Sequence, residues 1–231
     1  VIDHLDFSAD PEEFAPVIAL LIVVLTMLFS AISFGCCIMY AVRFYKNLFT
    51  DEGYITWTLP ASPLTQLWAK ILSASIWYVL DLTICFAAAW FLISGDNIQS
   101  ALERIKPDFQ AALGMSFSSF CGLVVFFSFV GILSCVLFIY TSIAIGQLVP
   151  AHRIIVSIAV YFILNLIIQI VTIGVSIITS VFPDYVFSPA QTSFSEYFFQ
   201  MLLIGTCTTT ALAIVGYFIT YRILQRNVNL I

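Results

Sequence analysis

The chain has 231 residues, of which 61% are hydrophobic and only 9% charged, and its formal net charge is −5. The 8 basic and 13 acidic side chains are too few to cover a soluble globule of this size without leaving large apolar patches exposed. This composition excludes an ordinary soluble domain and indicates an integral membrane protein in contact with lipid.

Five apolar runs follow one another along the chain, each longer than the roughly 20 residues that cross a bilayer as a helix. They cover residues 14–42, 64–93, 113–145, 154–182 and 197–224. Each is roughly two to three times as long as a transmembrane strand and is apolar on every face, which favours helices. The sequence therefore predicts an all-α integral membrane fold, a polytopic helical bundle that forms one transmembrane domain over residues 1–231.

The basic residues predict the orientation of this bundle. If the N-terminal segment lies outside, most basic residues face the cytoplasm, and only Arg104 and Lys106 lie outside. The predicted cytoplasmic residues are Arg43, Lys46, Lys70, Arg153, Arg222 and Arg226. Because the chain begins with Val1 and an acidic segment rather than a basic signal region, we expect a preceding helix in the intact protein. That gives six spans, with residues 1–15 in the first external loop and the C-terminus in the cytoplasm.

Few groups in the sequence could catalyse a reaction. The six cysteines lie within apolar runs without the spacing of a zinc site, and His4 and His152 fall on opposite sides of the predicted bilayer. The motifs HExxH, GxSxG and the Walker-type nucleotide loop do not occur. The sequence thus predicts a protein that is not an enzyme and that binds no metal, cofactor or nucleic acid itself.

Three polar side chains inside the predicted spans are candidates for a translocation path or for helix packing. Asp81 is an intramembrane acid, which is a functional candidate because burying its charge costs several kcal/mol. A protonated carboxyl, or one bonded to a hydroxyl or a neighbouring helix, is favoured over a proton relay. Asn165 and Gln169 are four residues apart and share one helix face, where joining helices is favoured over binding a substrate.

The longest polar connection on the predicted cytoplasmic side is RFYKNLFTDEGYITWTLPASP, residues 43–63. Arg43 and Lys46 suit an anionic leaflet, and Asp51 and Glu52 offer charge to a partner or to a helix N-terminus. Composition alone narrowly favours a solvated loop with an aromatic anchor at the interface.

This connection and the helix after it resemble part of a family of bacterial ABC transporter permease subunits of the six-helix type-2 exporter class. The chain reads FYKNLFTDEGYITWTLPASPLTQLWAKILSASIW, and the family typically reads close to FYKNLFTDEGYLTFTLP before a lysine-bearing helix. SIAIGQLVPAHRIIVSIAVYF is similar to the family's connection between its fourth and fifth helices, and YRILQRNVNLI is similar to its C-terminal tail. The resemblance covers essentially the whole chain. Ile55 and Trp57 replace the usual Leu and Phe, and Pro150 and Ala151 stand where Asn and Lys are common.

The resemblance implies a membrane-spanning permease subunit of an ATP-driven exporter in the bacterial cytoplasmic membrane. In this family two permease subunits, the same or different chains, pair and are driven by two cytoplasmic ATPase subunits, which hold the ATP and Mg²⁺. A coupling helix after the family's second span lodges in a groove of the ATPase. The residues implied in ATPase coupling are Tyr45, Lys46, Asn47, Asp51, Glu52, Gly53, Tyr54, Gly146, Gln147, His152 and Arg153.

Two other classes of function stay open on the residues alone. An ATP-independent secondary carrier or channel would use Asp81 as its ion-sensitive group. A non-catalytic membrane scaffold would show neither flux nor stimulated ATP hydrolysis. The residues do not name a transported substrate.

Overall fold

The computed structural model of the chain describes residues 11–58, 60–93, 103, 106–107, 109–111, 113–181 and 194–226. In chain order its main elements are α1 (Pro11–Phe49), α2 (Asp51–Thr58), α3 (Pro63–Ile93), α4 (Phe117–Gly146), α5 (Arg153–Ile178) and α6 (Phe194–Arg226). No β-strand occurs within the described ranges. All of these helices except the short α2 are long and apolar enough to cross a membrane. The predicted all-α, polytopic membrane fold is therefore confirmed.

The first helix ends later than the sequence predicts. The predicted span stops at residue 42, whereas α1 continues without a break to Phe49. The stretch RFYKNLF contains neither proline nor glycine, and it carries Leu48 and Phe49 into the core, where both are fully buried. Burying these two side chains stabilises the helical conformation over a polar loop. Residues 43–63 thus include the last two turns of α1, the helix α2, a short non-helical stretch at 60–62 and the first residue of α3.

Two other helices are shorter than their apolar runs. α4 begins at Phe117 rather than at residue 113, because Gly114 takes a left-handed φ of 67° and Ser116 caps the helix with its side chain. α5 ends at Ile178 rather than at residue 182, and Ser180 in the turn after it has a φ of 61°. Local turn chemistry, rather than the end of the apolar sequence, sets both boundaries.

α4 is the central helix, since it contacts each of the other four long helices. The short α2 packs against α1. The C-terminal ends of α1, α4 and α6 meet the N-terminal end of α3 in one cluster of buried side chains. We call residues 43–63 the elbow, and the end of the bundle that carries it the elbow end.

The hydrophobic core lies at the elbow end. Its buried members are Tyr40, Phe44, Leu48, Phe49, Leu67, Ile71, Ala74, Val136, Ile139, Tyr140, Ile143 and Leu224. Towards the opposite end, large apolar side chains such as Met27, Ile84 and Phe126 are more than half exposed. Such surfaces suit lipid, which is as apolar as the side chains themselves. The elbow is therefore attached to the most closely packed part of the protein.

Candidate functional site

The elbow is folded rather than being a solvated loop. Thr50 separates α1 from α2, and its Oγ1 donates to the Lys46 carbonyl at 2.7 Å. The backbone N–H of Gly53 donates to the Thr50 carbonyl at 2.7 Å, and Gly53 is buried. Asp51 and Glu52 occupy the first turn of α2, where negative charge stabilises the positive end of the helix dipole. Local hydrogen bonding and helix electrostatics both favour a short helix directly after α1.

Side-chain hydrogen bonds connect α2 to both of its neighbours. The Trp57 indole Nε1–H donates to the Leu48 carbonyl of α1 at 3.0 Å. The Gln66 Nε2–H of α3 donates to the Thr56 carbonyl at 2.9 Å, so it satisfies a carbonyl in the last turn of α2. α3 itself begins with Pro63, and Ser62 Oγ accepts a backbone N–H from its first turn. Movement of α2 is therefore mechanically connected to both flanking spans.

A polar bridge joins the same three helices on another side of the elbow. Asn47 lies near the end of α1, Glu52 in the first turn of α2, and Lys70 two turns into α3. With its amide oriented by these neighbours, Asn47 donates through Nδ2 to Glu52 Oε2 at 3.2 Å and accepts through Oδ1 from Lys70 Nζ at 2.9 Å. The sequence pointed to Asn47 and Glu52 but not to Lys70, which it placed only as a cytoplasmic basic residue.

The bridge is continuous with the core through Tyr140 of α4. The Tyr140 ring stacks on Phe44 of α1, with ring centroids 3.8 Å apart and an interplanar angle of 11°. Its hydroxyl donates to the backbone carbonyl of Lys70 at 3.1 Å. One side chain of the central helix thus contacts both spans that flank α2.

The predicted coupling residues of the elbow divide into two groups. Lys46, Asp51 and Glu52 are exposed and can meet a partner. Tyr45 is partly buried, packs against the core and lies beside Phe49, with ring centroids 6.5 Å apart. The side chain of Tyr54 lies outside the described part of the structure. The exposed surface of the elbow is accordingly charged rather than aromatic among the residues whose side chains are described.

The second predicted contact, Gly146–Arg153, is a tight turn at the same end of the bundle. Arg153 Nη1 donates to Gln147 Oε1 at 3.5 Å, and Ser157 Oγ donates to the Arg153 carbonyl at 2.8 Å. Leu148 is about half exposed, and the residues that follow it up to His152 are exposed. Gly146 and Gln147 are buried, so the outer part of this turn is the accessible part.

Asp81 makes a polar contact between two spans. Ser33 Oγ of α1 donates to Asp81 Oδ2 at 3.3 Å, and Asp81 is half-buried. Asn165 does not join two helices in the described structure, because its Nδ2 donates to the Tyr161 carbonyl one turn back on α5 at 2.8 Å. Gln169 is exposed. The described geometry does not bring Asn165 and Gln169 together with Asp81.

A recess of about 140 Å³ lies between α4 and α6. Its lining residues are Phe127, Val130, Gly131, Ser134, Gly205, Thr206, Thr209 and Thr210. The hydroxyls of Ser134, Thr206 and Thr209 all donate to backbone carbonyls one turn back on their own helices. These hydroxyls are already satisfied, which is the pattern of helix packing rather than of a built binding site.

In comparisons with known proteins, no family model, no curated protein and no solved structure matches this chain. The resemblance to ABC transporter permeases thus stays a prediction that depends on the motifs quoted above.

Proposed function

We propose that this chain is the membrane-spanning permease subunit of an ATP-driven ABC exporter, moved by a separate cytoplasmic ATPase through the elbow. The observation that carries the proposal is α2 itself. It is a short helix with exposed acidic residues, and two hydrogen bonds tie it to the spans on either side: Trp57 donates to the Leu48 carbonyl of α1, and Gln66 of α3 donates to the Thr56 carbonyl. A helix held in this way can transmit a push or a pull from a docked partner to two spans at once.

The distribution of charge supports a cytoplasmic position for the elbow. The six basic residues that the sequence assigned to the cytoplasm all lie in the helical turns at the elbow end, including Arg153 at the start of α5. Basic residues are concentrated on the cytoplasmic side of bacterial membrane proteins. The elbow and the Gly146–Arg153 turn are then both on the side where ATP is available.

The proposed mechanism is a change in helix packing. Closure of an ATPase pair would move α2, and the core at the elbow end would carry that movement into α1, α3 and α4 together, since all three contribute to one buried cluster. The substrate would pass between this subunit and a second permease, the same chain or a different one.

The test is affinity purification of the tagged chain from its native membrane in mild detergent, with identification of the proteins that accompany it. We expect an ABC ATPase in the wild-type preparation and at least about a tenfold loss of it in Asp51→Lys/Glu52→Lys, because reversing the charge of a docked helix costs several kcal/mol. Glu103→Lys is the matched control, an acid-to-lysine change at an exposed position on the connection between α3 and α4.

Two results would refute the proposal. One is a wild-type preparation that contains no ATPase although the chain itself is intact and monodisperse. The other is labelling of a cysteine placed at residue 51 by a membrane-impermeant thiol reagent added to whole cells, which would place the elbow outside.

An ATP-independent carrier is the second candidate, and one observation favours it. The basic residues of the described spanning helices lie near the elbow end, so none of these residues is at the depth of Asp81. An intramembrane carboxylate that has a hydroxyl but no basic side chain beside it is suited to binding a cation or a proton. The two functions differ in whether transport requires nucleotide.

A further inference from the structure

We infer that Glu52 and Lys70 form a positioning pair, bridged by Asn47, which sets the orientation of α2, and that Asp51 is left as the acidic contact for the ATPase. This inference rests on the proposed function and assigns different roles to two neighbouring acids that the sequence treats alike. It also adds Lys70, a residue of α3, to the coupling site.

The chemistry of the bridge fixes the orientation of the Asn47 amide. A carboxylate can only accept hydrogen bonds and an ammonium group can only donate them. The amide must therefore point its nitrogen at Glu52, 3.2 Å away, and its oxygen at Lys70, 2.9 Å away. Both bonds involve a charged partner, so each is stronger than a bond between neutral groups.

Asp51 differs from Glu52 in its surroundings. Within the described residues no hydrogen bond or ion pair involves its side chain, and it is exposed at the first residue of α2. Glu52 is also exposed, but one of its oxygens is already engaged by Asn47. The carboxylate that is free to meet a cationic group of a partner is that of Asp51.

The bridge gives α2 a route into α3 that is separate from the Gln66 hydrogen bond. The Lys70 side chain donates a hydrogen bond to Asn47, and the Lys70 backbone carbonyl accepts one from the Tyr140 hydroxyl of α4. A displacement of Glu52 would therefore be transmitted through Asn47 to Lys70, which is hydrogen-bonded to the central helix α4. Lys70 is a positioning residue in this scheme, because it acts through Glu52 and Asn47.

Exchanging the charges of Glu52 and Lys70 tests the assignment. The Asn47 amide can bridge an acid and a base whichever of the two positions holds the acid. Glu52→Lys places two cations on either side of Asn47, one of which must face the amide nitrogen. In Glu52→Lys/Lys70→Glu the amide can rotate by about 180°, so that its oxygen accepts from the new lysine and its nitrogen donates to the new glutamate. We expect Glu52→Lys to lower recovery of the ATPase about tenfold and the exchanged pair to restore most of it.

Three controls make the outcome decisive. Asp51→Lys should lower recovery as strongly and should not be restored by Lys70→Glu. In an Asn47→Leu background, the exchange should restore nothing, because leucine cannot bridge the two charges. Recovery of the ATPase is also measured in Lys70→Glu alone, which completes the double-mutant cycle. This variant shows the effect of any new contact that the introduced glutamate makes.

Equal loss of the ATPase in Glu52→Lys and in the exchanged pair would overturn the inference, because Glu52 would then contact the partner directly. Unchanged recovery in Glu52→Lys would overturn it as well.

The temperature at which each purified variant loses its size-exclusion peak gives a readout that needs no ATPase. It should fall in Glu52→Lys and recover in the exchanged pair. If the wild type recovers no ATPase, the proposed function fails, and this temperature still decides whether the bridge exists.

Discussion

Gly146 is the last residue of α4, and it lies where the first turn of α5 approaches most closely. A Cβ atom at this position would be 2.8 Å from the Arg153 carbonyl oxygen and 2.8 Å from the Ser157 backbone nitrogen, and it would overlap Ser157 Oγ. Real Cβ atoms essentially never lie closer than 3.0 Å to such neighbours. Gly146→Ala should therefore force the start of α5 away from the end of α4.

The expected cost follows from the atoms involved. Two of the three close neighbours are backbone atoms, which cannot rotate away as a side chain can. Overpacking of this kind costs about 1–3 kcal/mol, and alanine returns at most about 1 kcal/mol through its helix propensity. We expect a net loss of about 1–2 kcal/mol. For a chain of this length this corresponds to a fall of about 2–8 °C in the unfolding temperature.

The measurement is heating of the purified protein in detergent, followed by size-exclusion chromatography of what stays folded. Gly174→Ala is the matched control, because Gly174 lies within α5 and no atom stands within 4 Å of its added Cβ. It should leave the unfolding temperature unchanged or raise it. Ser157→Ala should restore only part of the loss in Gly146→Ala, since both backbone contacts remain. Equal stability of Gly146→Ala and Gly174→Ala would refute the close approach.

Two further changes test the contacts of the spans. Tyr140→Phe keeps the ring that stacks on Phe44 but removes the hydroxyl that donates to the Lys70 carbonyl of α3. It should lower the free energy of unfolding by about 0.5–1.5 kcal/mol, measured in the same heating assay. An unchanged unfolding temperature would mean that this hydrogen bond contributes nothing to stability. Asparagine in Asp81→Asn has nearly the same shape as aspartate and can still accept the hydrogen bond from Ser33, so we expect wild-type stability and wild-type association with the ATPase. If this change instead abolishes a nucleotide-independent flux in vesicles, the carrier function is favoured.

The five apolar runs could be recognised as spanning helices from sequence because lipid imposes a single strong requirement. Every backbone polar group within the hydrocarbon must be satisfied internally, and long apolar runs meet that requirement only as helices. The ends of the helices were less predictable. The end of α1 is set by burial of Leu48 and Phe49 in a core formed by four helices, which no local pattern in RFYKNLF indicates.

The candidate site was predictable in part for a related reason. Exposed charges such as Asp51 stand out in an apolar chain, so the elbow could be located from composition and resemblance. The residues that hold it in place could not, because their importance depends on distant neighbours. Tyr140 acts on Lys70 from another span, and Gln66 reads as an ordinary first-turn residue until its bond to α2 is seen.

The uneven packing of the bundle bears on how the proposed machine would move. Between helices in lipid, association depends on close contact and hydrogen bonds rather than on the exclusion of water. At the elbow end, stacked rings and buried side chains join α1, α3, α4 and α6. Towards the opposite end fewer of the described apolar side chains are buried, and the contacts between spans include single polar pairs, such as Ser33 with Asp81. A displacement of α2 would therefore move the elbow ends of these helices as one body. The packing between helices would change in their opposite halves, where a second subunit and a substrate would have to be accommodated.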